Sequence, residues 1–276
     1  MTSLKNMKIA IVNRPNFALK QCELTFLNRV SIDLATAQKQ HSNYIEALRN
    51  TGAQVEVLEV NQTSPDSAFV EDVAVILDEL AVITSMGIAA RREEVILMAD
   101  LIAGFRQEVR HIPLPATIEG GDVLRVGKTL FVGESSRTNR AGIATLGEIV
   151  RPFGYNVVSV RVHGCLHLKT GVTALNDETF ILNPDWIDPS PFENFKLIHV
   201  ASDEPWGANV LRIENCLIVN ASYPRTADRI DALGLRSDRV YISEFGKAEA
   251  GLTCMSLVFE KTITSAIATL PKSGKN

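Results

Sequence analysis

Four short strings in this chain carry side chains whose types suit chemistry on a planar cation. Glu71-Asp72, Glu119-Gly120-Gly121-Asp122 and His167-Leu168-Lys169 each stand at the entrance to an apolar, strand-like run. Cys254 lies within the last such run, Leu252–Phe259. A cysteine is a competent nucleophile because its thiolate is reached at moderate pH and is intrinsically reactive. A histidine can give and take a proton near neutrality. Paired carboxylates compensate a buried cation through charge-assisted, bidentate hydrogen bonds. Taken singly, each residue has a plainer reading. A free Cys in an apolar run is usually a small core residue, a His between two leucines a packed one, and a carboxylate beside a strand a turn or cap residue. Only their convergence would make a site.

The elements that must bring them together repeat. Apolar runs Val73–Leu77 and Leu80–Thr84, split by Asp78-Glu79, precede a helical pattern from about Ala89 to Phe105 and a strand near Val109–Pro113. The same order recurs as Asp122–Val126, Thr129–Val132, a helix from Thr138 to about Pro152, and Asn156–Val162. It recurs again as Gly171–Leu175, Thr179–Leu182, an irregular Pro-rich stretch and Leu197–Val200. The next copy is Val210–Ile213, Cys216–Val219, a helix over Thr226–Leu233 and Val240–Ser243. The remainder is Ile9–Asn13, the helix Asp33–Asn50 stopped by Gly52, strand Gln54–Val60 and the final run Leu252–Phe259. If that run pairs with the first strand, the remainder is a fifth copy. The expected fold is therefore a five-bladed, pseudo-symmetric α/β propeller of ββαβ units over residues 1–276, one domain closed by its two terminal strands. Asp72 and Glu119 are 47 positions apart and Glu119 and His167 are 48 apart, so this repeat would carry all three to one end of the axis.

Composition narrows the function. With 276 residues, 46% hydrophobic and 22% charged, the chain has the makeup of a globular enzyme. A net charge of −4, without long Lys/Arg runs, argues against a nucleic-acid partner. Cys22, Cys165, Cys216 and Cys254 form no CxxC pair, and the five histidines lack metal-ligand spacing, so neither disulfides, metal nor other cofactor is expected. The start, Met1–Met7, lacks an apolar leader core and no run is long enough for a membrane span, which together give the expectation of a reduced, cytoplasmic protein. The sequons at Asn61 and Asn220 then carry no meaning. The stretch Gly121–Thr129 imitates a phosphate loop, but five residues separate its glycines and it reads as a hairpin.

Longer strings carry a family likeness. Ser64–Asp72, Ile118–Val123, Val132–Asn139, His167–Gly171 and Gly251–Leu257, extended by Gln40–Ile45 and Tyr223–Thr226, closely resemble the dimethylarginine dimethylaminohydrolases. These belong to the guanidino-modifying superfamily with the arginine deiminases and amidinotransferases. The match runs in order over nearly the whole chain, and the family fold is the five-bladed propeller. The resemblance implies Cys254 as nucleophile, His167 as general acid/base and Glu119 as the carboxylate beside them. It implies Asp72 and Glu71 at the guanidinium end and Arg91 and Arg137 on the substrate carboxylate. Asp66 and the main-chain carbonyls of Leu24 and Ala248 would meet the α-amino group, and Phe69 would line the alkyl channel. One departure is Ser85-Met86-Gly87, where the family usually has Arg-Pro-Gly.

The implied activity is hydrolysis of free N-omega-methylated arginine to citrulline and a methylamine through a covalent thiouronium on Cys254. The implied partner is that small molecule, with no membrane or nucleic acid, and a homodimer is compatible. Rival readings are an arginine deiminase, an amidinotransferase and a non-catalytic binder of methylarginine. The complete Cys254, His167 and Glu119 set argues against the last, because a binder has no need of a reactive thiol.

Overall fold

A ring of five three-stranded sheets forms the protein, and the central strand of each sheet pairs antiparallel with one neighbour and parallel with the other. The computed structural model describes residues 4–264, so the polar start Met1–Met7 lies partly outside them. The first blade holds β1 (Leu4–Asn13), helix α1 (Leu34–Asn50) and β2 (Gln54–Leu58). The second runs β3 (Ala74–Ile76), β4 (Leu80–Ile83), α2 (Glu94–Ala103) and β5 (Glu108–His111). The third runs β6 (Val123–Val126), β7 (Thr129–Glu134), α3 (Arg140–Val150) and β8 (Asn156–Arg161). In the fourth, a short α4 (Leu168–Gly171) leads into β9 (Val172–Ala174) and β10 (Thr179–Leu182), and β11 (Lys196–His199) follows an irregular crossover. The fifth has β12 (Leu211–Ile213), β13 (Cys216–Asn220), α5 (Pro224–Asp231) and β14 (Arg236–Val240). After α6 (Ser243–Gly246), β15 (Leu257–Thr264) returns to the first blade and pairs antiparallel with β1 from Leu4↔Thr264 to Ile11↔Leu257. The terminal strands thus close the ring, as the repeat implies.

Local chemistry sets the elements. Asp33 caps α1 by accepting the Thr36 N–H at 2.6 Å, and Gly52, at φ +92°, turns the chain after its end. The buried stripe of α1, Ala37, Gln40, His41, Tyr44, Ile45 and Leu48, follows helical spacing. Five apolar clusters lie between successive blades rather than within one. Val82 and Leu80 of β4, for example, pack with Val132 and Leu130 of β7 and with Leu146 of α3. Each blade is therefore covered by its neighbours, and the ring end that carries the loops before β3, β6, β9 and β15 is left for polar residues.

Three expectations need correction. The strand read at Val240–Ser243 lies earlier, at Arg236–Val240: the half-exposed β14 takes its register from β13, Cys216↔Arg236 to Asn220↔Val240, while Ser243 already opens α6. The helix read from Ala89 starts only at Glu94, because Ala89–Arg91 forms a separate tight turn whose Arg91 is drawn into the interior. Cys254 is not in the closing strand. It sits in a 3-10 turn, Thr253–Met255, just before β15.

Candidate active site

Cys254, His167, Asp72, Asp66, Phe69, Arg91, Arg137 and Ala248 line one cavity at that end of the ring, together with Glu23, Leu166, Glu249 and Ala250. The spacing argument correctly places Asp72, Glu119 and His167 together: their donor atoms lie within 4.8 Å of one another, and all three are buried. His167 Nε2 meets Glu119 Oε2 at 2.7 Å, and Nδ1 faces Asp72 Oδ1 at 3.9 Å. The two glycines of Glu119-Gly120-Gly121-Asp122 permit this closeness. A Cβ on Gly120 would stand 2.0 Å from the Glu71 carbonyl oxygen, and one on Gly121 would stand 2.6 Å from His167 Nδ1.

Charge distributes itself accordingly. Burial works to lower the His167 pKa, but the carboxylates of Asp72 and Asp122 and the hydrogen bond to Glu119 outweigh it and raise it to about 9. Cys254 is pushed up to about 12, first by burial and then by the charges of Glu71 and Asp72. At neutral pH the imidazole therefore keeps its proton and the thiol is neutral. The cluster has the donor set of a divalent-cation site, but Arg91 already contacts Asp72 at 2.6 Å and Arg137 approaches Glu119 at 3.7 Å. A metal ion would have to displace one or more of these positive groups.

The charged side chains among the expected substrate contacts are occupied from within. Arg91 places Nη1 on Asp72 Oδ2, Nε on Glu94 Oε2 at 3.1 Å and Nη2 on the Phe69 carbonyl at 3.1 Å. Asp66 accepts the Glu23 N–H on both oxygens, and Arg137 donates to Thr25 Oγ1. The cavity that remains is about 20 Å³, room for about one water. Glu71 does not line it. That carboxylate pairs with Lys169 at 2.5 Å, accepts the Thr253 hydroxyl at 2.8 Å, and faces the axial channel behind the site. Leu24 is half-buried beside the apolar cluster under α1, next to Glu23. Met86 is fully buried and the Gly87 N–H donates to Glu119 Oε1 at 3.0 Å, so Ser85-Met86-Gly87 delivers an amide to the carboxylate beside His167.

Sequence reasoning missed the residues that hold these groups in place. Asn209 accepts the Thr253 N–H and donates to the Lys169 carbonyl at 2.8 Å, tying the Cys254 turn to the His167 segment. Asp122 accepts the Leu168 N–H and the Ser135 hydroxyl, fixing the backbone just after His167. Tyr44 of α1, fully buried, donates to the Leu252 carbonyl at 2.8 Å and shares a hydrogen bond with Ser256. Asp122 belonged to a string already singled out, which was its signal. Tyr44 lay in the singled-out string Gln40–Ile45, though nothing there pointed to the Cys254 turn, and Asn209 carries no signal, since its partners lie 40 or more positions away.

Comparison with known proteins places this architecture. The family model described as N,N dimethylarginine dimethylhydrolase, eukaryotic, matches residues 20–194. The N(G),N(G)-dimethylarginine dimethylaminohydrolase of Streptomyces coelicolor is 37% identical over 252 residues, covering 91% of this chain and 96% of that protein. The Pseudomonas aeruginosa enzyme of the same name is 34% identical over 228 residues, 82% of this chain and 90% of that one. The solved structure of that P. aeruginosa enzyme, a cysteine-to-serine mutant complexed with citrulline, superposes with a TM-score of 0.88 at 33% identity, over 92% of this chain and 99% of the other. The N-terminal domain of a cyanobacterial arginine dihydrolase shares the fold, with a TM-score of 0.83 at 17% identity over 91% of this chain and 97% of that one.

Proposed function

The chain belongs to the dimethylarginine dimethylaminohydrolase family, a family of C–N bond hydrolases, and from that premise we propose that it hydrolyses free N-omega-methylated arginine to citrulline and a methylamine through a covalent intermediate on Cys254. The observation that carries the reading is the cavity itself. Cys254, a protonated His167 and Asp72 line it beside two arginines and a carboxylate suited to an amino acid's carboxylate and ammonium. Relatives at 34–37% identity carry the corresponding name, and one is solved with citrulline bound.

Substrate entry exchanges internal contacts for external ones. The substrate's guanidinium replaces that of Arg91 on Asp72, and Arg91 turns with Arg137 to the substrate's carboxylate. The α-ammonium takes the place of the Glu23 N–H on Asp66. An unpaired guanidinium would cost several kcal/mol to bury, so a site already built for Arg91's guanidinium is prepared for another. The arriving cation also offsets the negative charge of Glu71 and Asp72 that keeps the Cys254 thiol protonated, and its proton leaves to solvent.

The thiolate then adds to the guanidinium carbon. The C–N bond to the methylated nitrogen breaks with the electron pair on nitrogen, and His167 protonates the departing amine, leaving an S-alkylthiouronium on Cys254. Neutral His167, held by Glu119, next takes a proton from water. The hydroxide adds to the same carbon, Cys254 leaves as thiolate, the remaining hydroxyl proton passes to solvent, and citrulline is released.

The test is a parallel assay of citrulline from arginine, monomethylarginine and asymmetric dimethylarginine. A preference for the methylated substrates, with kcat/KM at least tenfold above arginine, is expected. Equal or better use of arginine would make ammonia the leaving group and the enzyme a deiminase.

A further inference from the structure

The segment over the cavity, residues 23–27, is held mainly by polar contacts. Of its apolar side chains Leu24 packs half-buried against the cluster under α1, but Phe26 is 47% exposed, and Val30 just beyond is 51% exposed, so apolar burial anchors the lid only near Leu24. Three side chains of the site hold it instead. Asp66 takes the Glu23 N–H and Arg137 reaches Thr25 Oγ1. The third is Glu249, which nothing above assigns. Its carboxylate accepts three successive backbone N–H groups, those of Thr25 at 3.0 Å and of Phe26 and Leu27 at 2.5 Å. Consecutive amides pointed at one anion form a nest, a strong and directional contact for a carboxylate.

Glu249 is also built into its place at a cost. It adopts φ +58°, a left-handed conformation that is strained for a non-glycine residue. It lies next to Ala248, on the chain leading to Cys254. It is 7% exposed and borders both the catalytic cavity and an apolar cavity of about 440 Å³ on the far side of the lid, lined in part by Leu27, Val30 and Trp206.

On the reading above, bound substrate takes Asp66 and Arg137 away from the lid, and Glu249 alone among the three keeps its hold. We propose that Glu249 is the lid's latch: a positioning residue that keeps residues 23–27 over the substrate once the substrate's own ammonium and carboxylate have displaced the lid's other two anchors. Glu249 contributes no proton and no bond to the reaction. It converts occupancy of the site into closure by providing the one lid contact that substrate does not compete for.

Glu249→Gly tests this, because it removes the carboxylate and relieves the left-handed strain at once, so the fold is not put at risk. Two readouts are taken: steady-state kinetics, and the rate of tryptic cleavage at exposed Arg29 with and without citrulline. The expected result is a KM raised at least tenfold with kcat changed less than threefold. Cleavage should be at least tenfold faster than in the wild type, and citrulline should no longer slow it. Glu249→Gln, whose one amide oxygen can still meet the three N–H groups but carries no charge, should fall between. A KM within twofold of wild type with unchanged cleavage overturns the latch. So does a kcat that falls together with the melting temperature while KM stays put, the mark of a merely structural role. A wild type that makes no citrulline refutes the hydrolase reading and leaves the cleavage arm to decide the latch.

Discussion

Cys254 and His167 start from protonation states opposite to those usually drawn for a cysteine–histidine pair. With the His167 pKa raised to about 9 and the thiol pushed up to about 12, deprotonating the free enzyme removes the imidazole proton before the thiol proton. The sign of the His167 shift has a stability consequence as well. Its charge contributes fully below the ordinary histidine range, near 6.5, and that contribution is lost as pH rises through about 9. Alkylation by iodoacetamide, which needs thiolate, should therefore be slow at pH 7 and keep climbing past pH 9 in the empty enzyme. An inactivation rate that levels off by pH 7 would contradict this electrostatic picture. At this scale the sequence shows the reacting groups well, because Asp72, Glu119 and His167 recur at nearly constant spacing beside strand-like runs. It does not show Glu94, whose carboxylate holds Arg91 and whose Oε1 is buried without a hydrogen-bond partner, nor Glu249, whose role depends on backbone amides more than 200 positions away.

The elements act as brackets for these groups. Helix α1, although far from Cys254 in sequence, reaches the Cys254 turn through Tyr44, and the tether explains why Leu252–Ser256 does not continue the closing strand. Its carbonyl and hydroxyl groups are taken by Tyr44, and Thr253 is taken by Asn209 and Glu71, before pairing with β1 begins at Leu257. An apolar run reads as a strand when pattern is the only information; competing side-chain hydrogen bonds are invisible to it. The same limit shifted β14 by four residues, whereas the hairpins, bounded by turn dipeptides such as Asp78-Glu79 and Gly127-Lys128, stood within a residue or two of their readings. Tyr44→Phe should cost about 1–3 kcal/mol in urea unfolding, since it leaves the buried Leu252 carbonyl without its donor and the Ser256 hydroxyl without its partner. It should also lower kcat more than it raises KM, as the turn it steadies carries the nucleophile and not the substrate contacts. A variant as stable and active as the wild type would show that α1 does not hold the Cys254 turn.

For the whole molecule, the ring explains how residues 72, 167 and 254 share one cavity, with Glu119 directly behind His167. Successive blades pack through five interfacial clusters, and β1 with β15 closes the circle, so each blade hands one loop to the same end of the axis. Periodicity alone made that architecture legible, because a unit unable to bury its own apolar face must stack on a copy of itself. The closed state of the site was not legible, because Arg91 on Asp72 and the lid on Asp66 and Arg137 are contacts among the binding residues themselves. Among the described residues no helix is long and apolar enough to cross a membrane. The claim on which everything else depends is that Cys254 carries the chemistry. Citrulline release from asymmetric dimethylarginine, measured for the wild type and Cys254→Ser alongside calorimetric binding of the same substrate, tests it most directly. The expected result is that the serine variant binds substrate within about tenfold of the wild type yet loses at least a thousandfold in kcat. A serine variant that still turns over within tenfold of the wild type would contradict the account.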